Sequence, residues 1–205
     1  MPAQAHPGVF WRIVDESGVG PDCVTLVLMS EQQQEDQALQ LETDIVTAEY
    51  LSHAGMDHVD VAWSEDDFAL FQTLLSKQFP DRYEDEGFHL DLSDESVLDT
   101  IAVLAAARFS DAQSSDYWVV NRHWNTVQRA YEIGDMVALA TEDGFCLGVL
   151  VALDAVEAEV VLLECVDPET AETGVRLHEL VRVYKADLLP DTFGNVLTTE
   201  EDTLH

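Results

Sequence analysis

The chain has 205 residues, 47% of them hydrophobic, which is enough to bury a core and argues against a disordered acidic tail. It carries 41 acids against 9 bases, a net charge of −32. A field of that sign repels phosphates and argues against direct binding to DNA or RNA.

In chain order, "GVFWRIVDES" and "CVTLVLMS" read as two strands joined by the turn-rich "SGVGPD". "ALQLET" is a candidate third strand. "TDIVTAEYLSHAG" reads as a helix with Thr43 as N-cap and Gly55 just past its end. "HVDVAWS" alternates as a strand does. "SEDDFALFQTLLSKQFP" is a helix capped by Ser64, with Glu65, Asp66 and Asp67 in its positive first turn and Phe68, Phe71 and Leu75 on one face. "ESVLDTIAVLAAARFS" is a second helix with Val97, Ile101, Leu104 and Ala105 on one stripe, and Asp91, Asp94 and Glu95 near its start.

Beyond residue 110 the pattern changes. "YEIGDMVALAT", "FCLGVLVALD", "EAEVVLLECVD" and "TGVRLHELVRVYK" are β-rich and are separated by turn formers. Short strands at that spacing favour a small closed barrel, because closure removes exposed edges. The expected class is therefore α+β. An α+β domain spans residues 1–110, a polar linker 111–116, a small antiparallel β-barrel 117–190 and a loose tail 191–205.

The acidity runs through both halves. Residues 1–110 hold 22 acids and 4 bases, and residues 111–205 hold 19 and 5. A salt-rich cytoplasm, imitation of nucleic acid to capture a basic partner, and plain solubility all fit that distribution. Cys23, Cys146 and Cys165 are far apart, form no CxxC pair and sit among apolar neighbours, as small core residues of a reducing compartment do. The first residues lack a basic stretch followed by a long apolar one, and no apolar run reaches the roughly 18 residues of a membrane span. The cytoplasm is the expected location, with no membrane partner.

Several chemistries fail on spacing. In "DRYEDEGFHLDLSDES", placing Gly87 at the sixth position of a calcium loop puts Arg82 and Ser93 where carboxylates are required. "HAGMDHVD" brings His53, Asp57, His58 and Asp60 close in sequence without the HExxH spacing, so these read as surface residues. There is no GxSxG, P-loop or GxGxxG. The expectation is a protein that is not an enzyme and holds no metal or cofactor.

Two basic islands interrupt the acidity. "YWVVNRHWNTVQRAY" runs fifteen residues without an acid and carries Asn121, Arg122, His123, Trp124 and Arg129. "TGVRLHELVRVYK" carries Arg176, His178, Arg182 and Lys185. Arginine beside aromatic rings suits phosphate and base stacking, which makes Asn121, Arg122, His123, Trp124, Arg129 and Arg176 the candidate ligand site. The bland alternative is that these bases pair with nearby carboxylates.

Over residues 118–180 the order of motifs resembles the PilZ-type barrels. Asn121 opens "NRHWNT", Gly134-Asp135 opens "GDMVAL", Gly148 opens "GVLVAL" and Gly174 opens "GVRLHEL". The family's D/N-x-S-x-x-G motif is altered, with His123 at the serine position and Thr126 at the closing glycine. No RxxxR precedes Asn121. The resemblance implies a bacterial regulatory barrel whose standard ligand, cyclic di-GMP, has lost most of its contacts. SH3-like barrels share the glycine pattern. The resulting expectation is a regulatory adaptor that offers an acidic surface to a protein partner. The alternatives are a nucleic-acid-mimicking decoy for a DNA-binding protein and a salt-adapted domain of other role.

Overall fold

A computed structural model of the chain describes residues 8–14, 22–29, 38–47, 58–79, 92–114, 130–141, 144–165 and 176–191. The chain divides into two compact units, Met1–Ser110 and Asp111–His205. Among the described residues no helix is long and apolar enough to cross a membrane.

The N-terminal unit is built on four antiparallel strands, β1 (Val9–Val14), β2 (Asp22–Leu28), β3 (Leu39–Thr47) and β4 (His58–Ala62), in the order β3-β2-β1-β4. Trp11 stands opposite Leu26 and Val61, and Ile13 opposite Val24 and Val59. Directly opposed residues share a sheet face, so one face gathers the apolar side chains. Trp11, Ile13 and Val24 are fully buried there. Trp11 stacks on Trp63 at 5.5 Å between ring centroids and meets the edge of Phe109 at 5.8 Å. Trp63 in turn takes the edges of Phe68 and Phe71.

The three phenylalanines come from the two helices, Phe68 and Phe71 from α1 (Glu65–Gln78) and Phe109 from α2 (Glu95–Phe109). At the start of α1, Ser64 and Asp67 form a capping box. The Asp67 N–H donates to Ser64 Oγ, and the Ser64 N–H donates to Asp67 Oδ2 at 2.6 Å. Asp94 caps α2 by accepting the Ser96 N–H. Val97, Ile101, Leu104 and Ala105 are all buried along α2. The Thr100 hydroxyl lies 2.5 Å from Gln78 Oε1 and ties α2 to the end of α1.

One element differs from expectation. Thr43 does not cap a helix; residues 43–47 continue β3. The segment is rich in β-branched residues, which suit a pleated surface better than a helix. The Thr43 hydroxyl donates to the Val24 carbonyl on β2 and accepts the Ile45 N–H, beside a register shift between Cys23 and Thr25. Residues 48–55, the rest of the segment expected to be helical, lie outside the described residues.

The C-terminal unit is a six-stranded sheet of order β10-β6-β7-β8-β9-β5. Its strands are β5 (Gln113–Ser114), β6 (Met136–Ala140), β7 (Phe145–Leu153), β8 (Glu157–Cys165), β9 (Leu180–Tyr184) and β10 (Leu188–Pro190). A 3-10 turn over Lys185–Asp187 separates β9 from β10. The core gathers Val137, Leu139, Leu150, Val160, Leu162 and Val181. A smaller cluster of Ala138, Ala140, Phe145 and Leu189 forms from neighbouring positions of β6, β7 and β10.

The expected closure into a barrel is not seen among the described strands. The sheet is open, with β10 and β5 at its ends. β10 does return beside β6, but β9 is flanked by β5, whose Gln113 and Ser114 pair in parallel with Val181 and Arg182. Those two residues belong to the expected linker 111–116. Two register shifts between β7 and β8, at Leu147/Gly148 and Leu150/Ala152, break the regular ladder as β-bulges do.

Gly134 and Gly148 occupy constrained places in the C-terminal unit. Gly134 has φ 88, a conformation that side chains resist, and its N–H donates to the Leu150 carbonyl. Asp135 beside it accepts the Glu132 N–H, closing the turn that feeds β6. Gly148 sits where a Cβ would come within 2.5 Å of Val160 Cγ1 and 2.7 Å of the Val161 carbonyl oxygen.

The β7–β8 turn is held by a carboxylate. Asp154 Oδ1 accepts the N–H groups of Val156 at 2.7 Å and Glu157 at 2.6 Å. These backbone bonds, that from Glu157 first, hold the Asp154 carboxyl below its ordinary range of acidity. A depressed folded-state value means stability that is present above the unfolded value and lost as pH falls through the folded one. Asp187 acts in the opposite sense. Burial raises its pKa, and its Oδ1 has no hydrogen-bond partner among the described residues, so acid relieves it. Asp154→Asn keeps an acceptor for the turn. It should therefore preserve the fold near neutrality and flatten the loss of thermal midpoint below about pH 4. Asp154→Ala should lower the midpoint at neutral pH as well. A melting series from pH 7 to pH 2.5 on the three proteins checks both.

Candidate functional site

Of the six sequence-derived site residues, Asn121, Arg122, His123, Trp124 and Arg129 lie outside the described residues. Arg176 is exposed, in the turn that leads to β9. Its N–H donates to a Glu179 carboxylate oxygen at 3.0 Å.

The second basic island does not converge. His178 is only 6% exposed, adopts φ 58, and its backbone N–H donates to the Leu162 carbonyl, so it belongs to the packed turn. Arg182 reaches across to β8, with 2.8 Å to Glu159 and 4.0 Å to Glu157. The hydrogen bond that Arg182 donates to Glu159, and then the Glu159 charge, hold the guanidinium more firmly protonated than usual. Lys185 Nζ donates to the Asp154 carbonyl at 3.0 Å. In this island Arg182 and Lys185 are thus spent inside the unit.

Around Arg182 the sheet forms an open groove of about 380 Å³, lined by Ala152, Asp154, Glu157, Glu159 and Arg182 among others. Register explains its composition. Ala152, Glu159, Arg182 and Ser114 stand in one row across β7, β8, β9 and β5. Small Ala152 leaves the space, and the Glu-Ala-Glu alternation sets two carboxylates on one face. The alternation is readable in "EAEVVLLEC". That Arg182 faces it is a matter of long-range pairing, which the sequence does not display.

In the N-terminal unit the corresponding feature is Arg12. It stands opposite Asp60 and meets it through two 2.8 Å contacts, with the guanidinium 5.5 Å from the Phe10 ring centroid. Asp60 is therefore committed to a structural pair. His58 is exposed at the start of β4, and His53 and Asp57 are outside the described residues. Among the described residues no group of three histidine, cysteine or carboxylate side chains is placed to hold a metal ion.

The charge balance of the chain sets up a definite field. With 41 acids and 9 bases, at least 32 carboxylates have no arginine or lysine to neutralise them, even if every base pairs with one acid. The observed pairs of Arg12 and Arg182 consume bases without making a basic patch. No protein-family model matches the chain, and a search of curated proteins returns no match.

Proposed function

We propose that the chain is a non-enzymatic binding and regulatory adaptor that presents an acidic surface to a basic protein partner. In this reading its C-terminal unit is a small barrel-like module of PilZ-like or SH3-like kind that no longer carries the standard cyclic-dinucleotide motif. The carboxylate excess carries the reading. Complementary charge accelerates encounter and selects against acidic partners. The strand order lends further support, since the antiparallel run β6-β7-β8-β9 is followed by a strand, β10, that returns beside β6, which is a step toward closure.

Capture from native lysate, in the presence of excess polyglutamate, tests the reading. The expected result is a small set of basic proteins that polyglutamate does not displace. Recovery of only acidic or neutral proteins, or of nothing, overturns it. A set made up of DNA-binding proteins points to the decoy version of the same acidic capture. A cyclic-dinucleotide site at Asn121, Arg122 and Arg129 is a narrower proposal. Calorimetry with cyclic di-GMP tests it, and absence of heat at high micromolar ligand removes it while leaving the adaptor in place.

A further inference from the structure

We propose that Cys146 and Cys165 are a disulfide-forming pair, which clasps the open end of the β7–β8 hairpin when the chain meets a disulfide oxidant. The observation is the register, in which Cys146 of β7 stands directly opposite Cys165, the last residue of β8. Direct opposition in an antiparallel pair sets the two Cα atoms about 4.5 or 5.5 Å apart, depending on whether the pair is hydrogen-bonded. Both separations fall in the window of about 4.4–6.8 Å that a disulfide spans. The backbone therefore already holds the two cysteines in range. The hairpin's other end is secured by Asp154, so the bridge fixes the end that the turn does not.

Cys23 provides the contrast. Its opposed residues are Val14 on β1 and Val46 on β3, so it has no cysteine across either ladder. Of the three cysteines, the register selects one pair.

Cys146 is 5% exposed, packed in the core with Val137, Leu139 and Leu162. Burial disfavours the thiolate that must attack. The bridge therefore forms while the hairpin is open, during folding or transient unfolding, and the closed core then protects it. With oxidised glutathione, one cysteine thiolate attacks a glutathione sulfur, forming a mixed disulfide and expelling one glutathione thiolate. The second cysteine then attacks the protein sulfur of that mixed disulfide and expels the other. Two electrons pass from the cysteine pair to glutathione disulfide, and two glutathione thiols are released.

The inference is independent of the adaptor reading, and its test needs no partner. The full chain is refolded in oxidising and in reducing glutathione buffer, quenched in acid, alkylated and mapped by mass spectrometry. In oxidising buffer the expected product has one 146–165 bridge and one alkylated cysteine, Cys23. Cys146→Ser and Cys165→Ser should each abolish the bridge, and Cys23→Ser should retain it. Oxidation should raise the thermal midpoint on the order of 10 °C, reversibly with reductant. Three alkylated cysteines, a bridge that includes Cys23, or a lowered midpoint on oxidation overturns the proposal. Should refolding fail, the same alkylation count on natively purified protein held in oxidising buffer decides it.

Discussion

Trp11→Ala should cost the N-terminal unit about 3–5 kcal/mol, the range for emptying a large aromatic site in a packed core. Trp11 is fully buried, at the point where β1, Trp63 and Phe109 of α2 meet. Removing it leaves Trp63 without its stacking partner, so the loss combines transfer, cavity and ring–ring terms. Against a total stability of about 5–15 kcal/mol, that is a third or more of what holds a unit folded. Trp11→Phe separates the causes. The Trp11 Nε1 has no acceptor among the described residues, so exchanging indole for phenyl sacrifices little hydrogen bonding. It should cost far less than the alanine. Urea unfolding followed by near-ultraviolet circular dichroism measures both, and a loss below about 1 kcal/mol for Trp11→Ala would show that the cluster is not the core of the unit.

Gly148→Ala should destabilise the C-terminal unit by about 2–3 kcal/mol, toward the upper end of the cost of overpacking. The added methyl would meet the Val160 side chain and also the Val161 carbonyl oxygen. A side chain can rotate aside, but the carbonyl is fixed by the β8 backbone beside a register shift. The double variant Gly148→Ala/Val160→Ala should therefore cost less than the sum of its parts, since it relieves the side-chain half of the clash. Strict additivity would indicate that the two residues do not press on each other. Urea unfolding of the two single variants and the double variant supplies the numbers.

These two residues illustrate how differently the fold can be read from sequence. The α1 start was legible because a capping box is local. Ser64 and Asp67 are three residues apart, and their chemistry acts within one turn. The same holds for Asp94 at the α2 start. Thr43 misled for the same reason. A threonine N-cap with a glycine twelve residues on is a local helix signal, yet the Thr43 hydroxyl is satisfied by the Val24 carbonyl nineteen positions away. Tertiary pairing outweighed local propensity.

Barrel closure was illegible on similar grounds. Strand count and turn spacing anticipate an antiparallel sheet, but which strands lie at its ends depends on β5, only two residues long. The candidate ligand site divides in the same way. Arg176, His178, Arg182 and Lys185 form a cluster along the sequence. The turn before β9 packs His178 into the interior, and strand pairing sends Arg182 onto Glu159. The carboxylates beside Arg182 could be found by their alternation, whereas their partner could not.

The central claim, that carboxylate excess captures a basic partner, is tested most directly by salt. The dissociation constant of the captured complex should be measured from about 50 to 500 mM sodium chloride, a range over which the Debye length shrinks severalfold. Affinity is expected to fall by about tenfold or more, chiefly through slower association. A dissociation constant that does not change across that range would contradict the claim and would place the binding energy in apolar contacts.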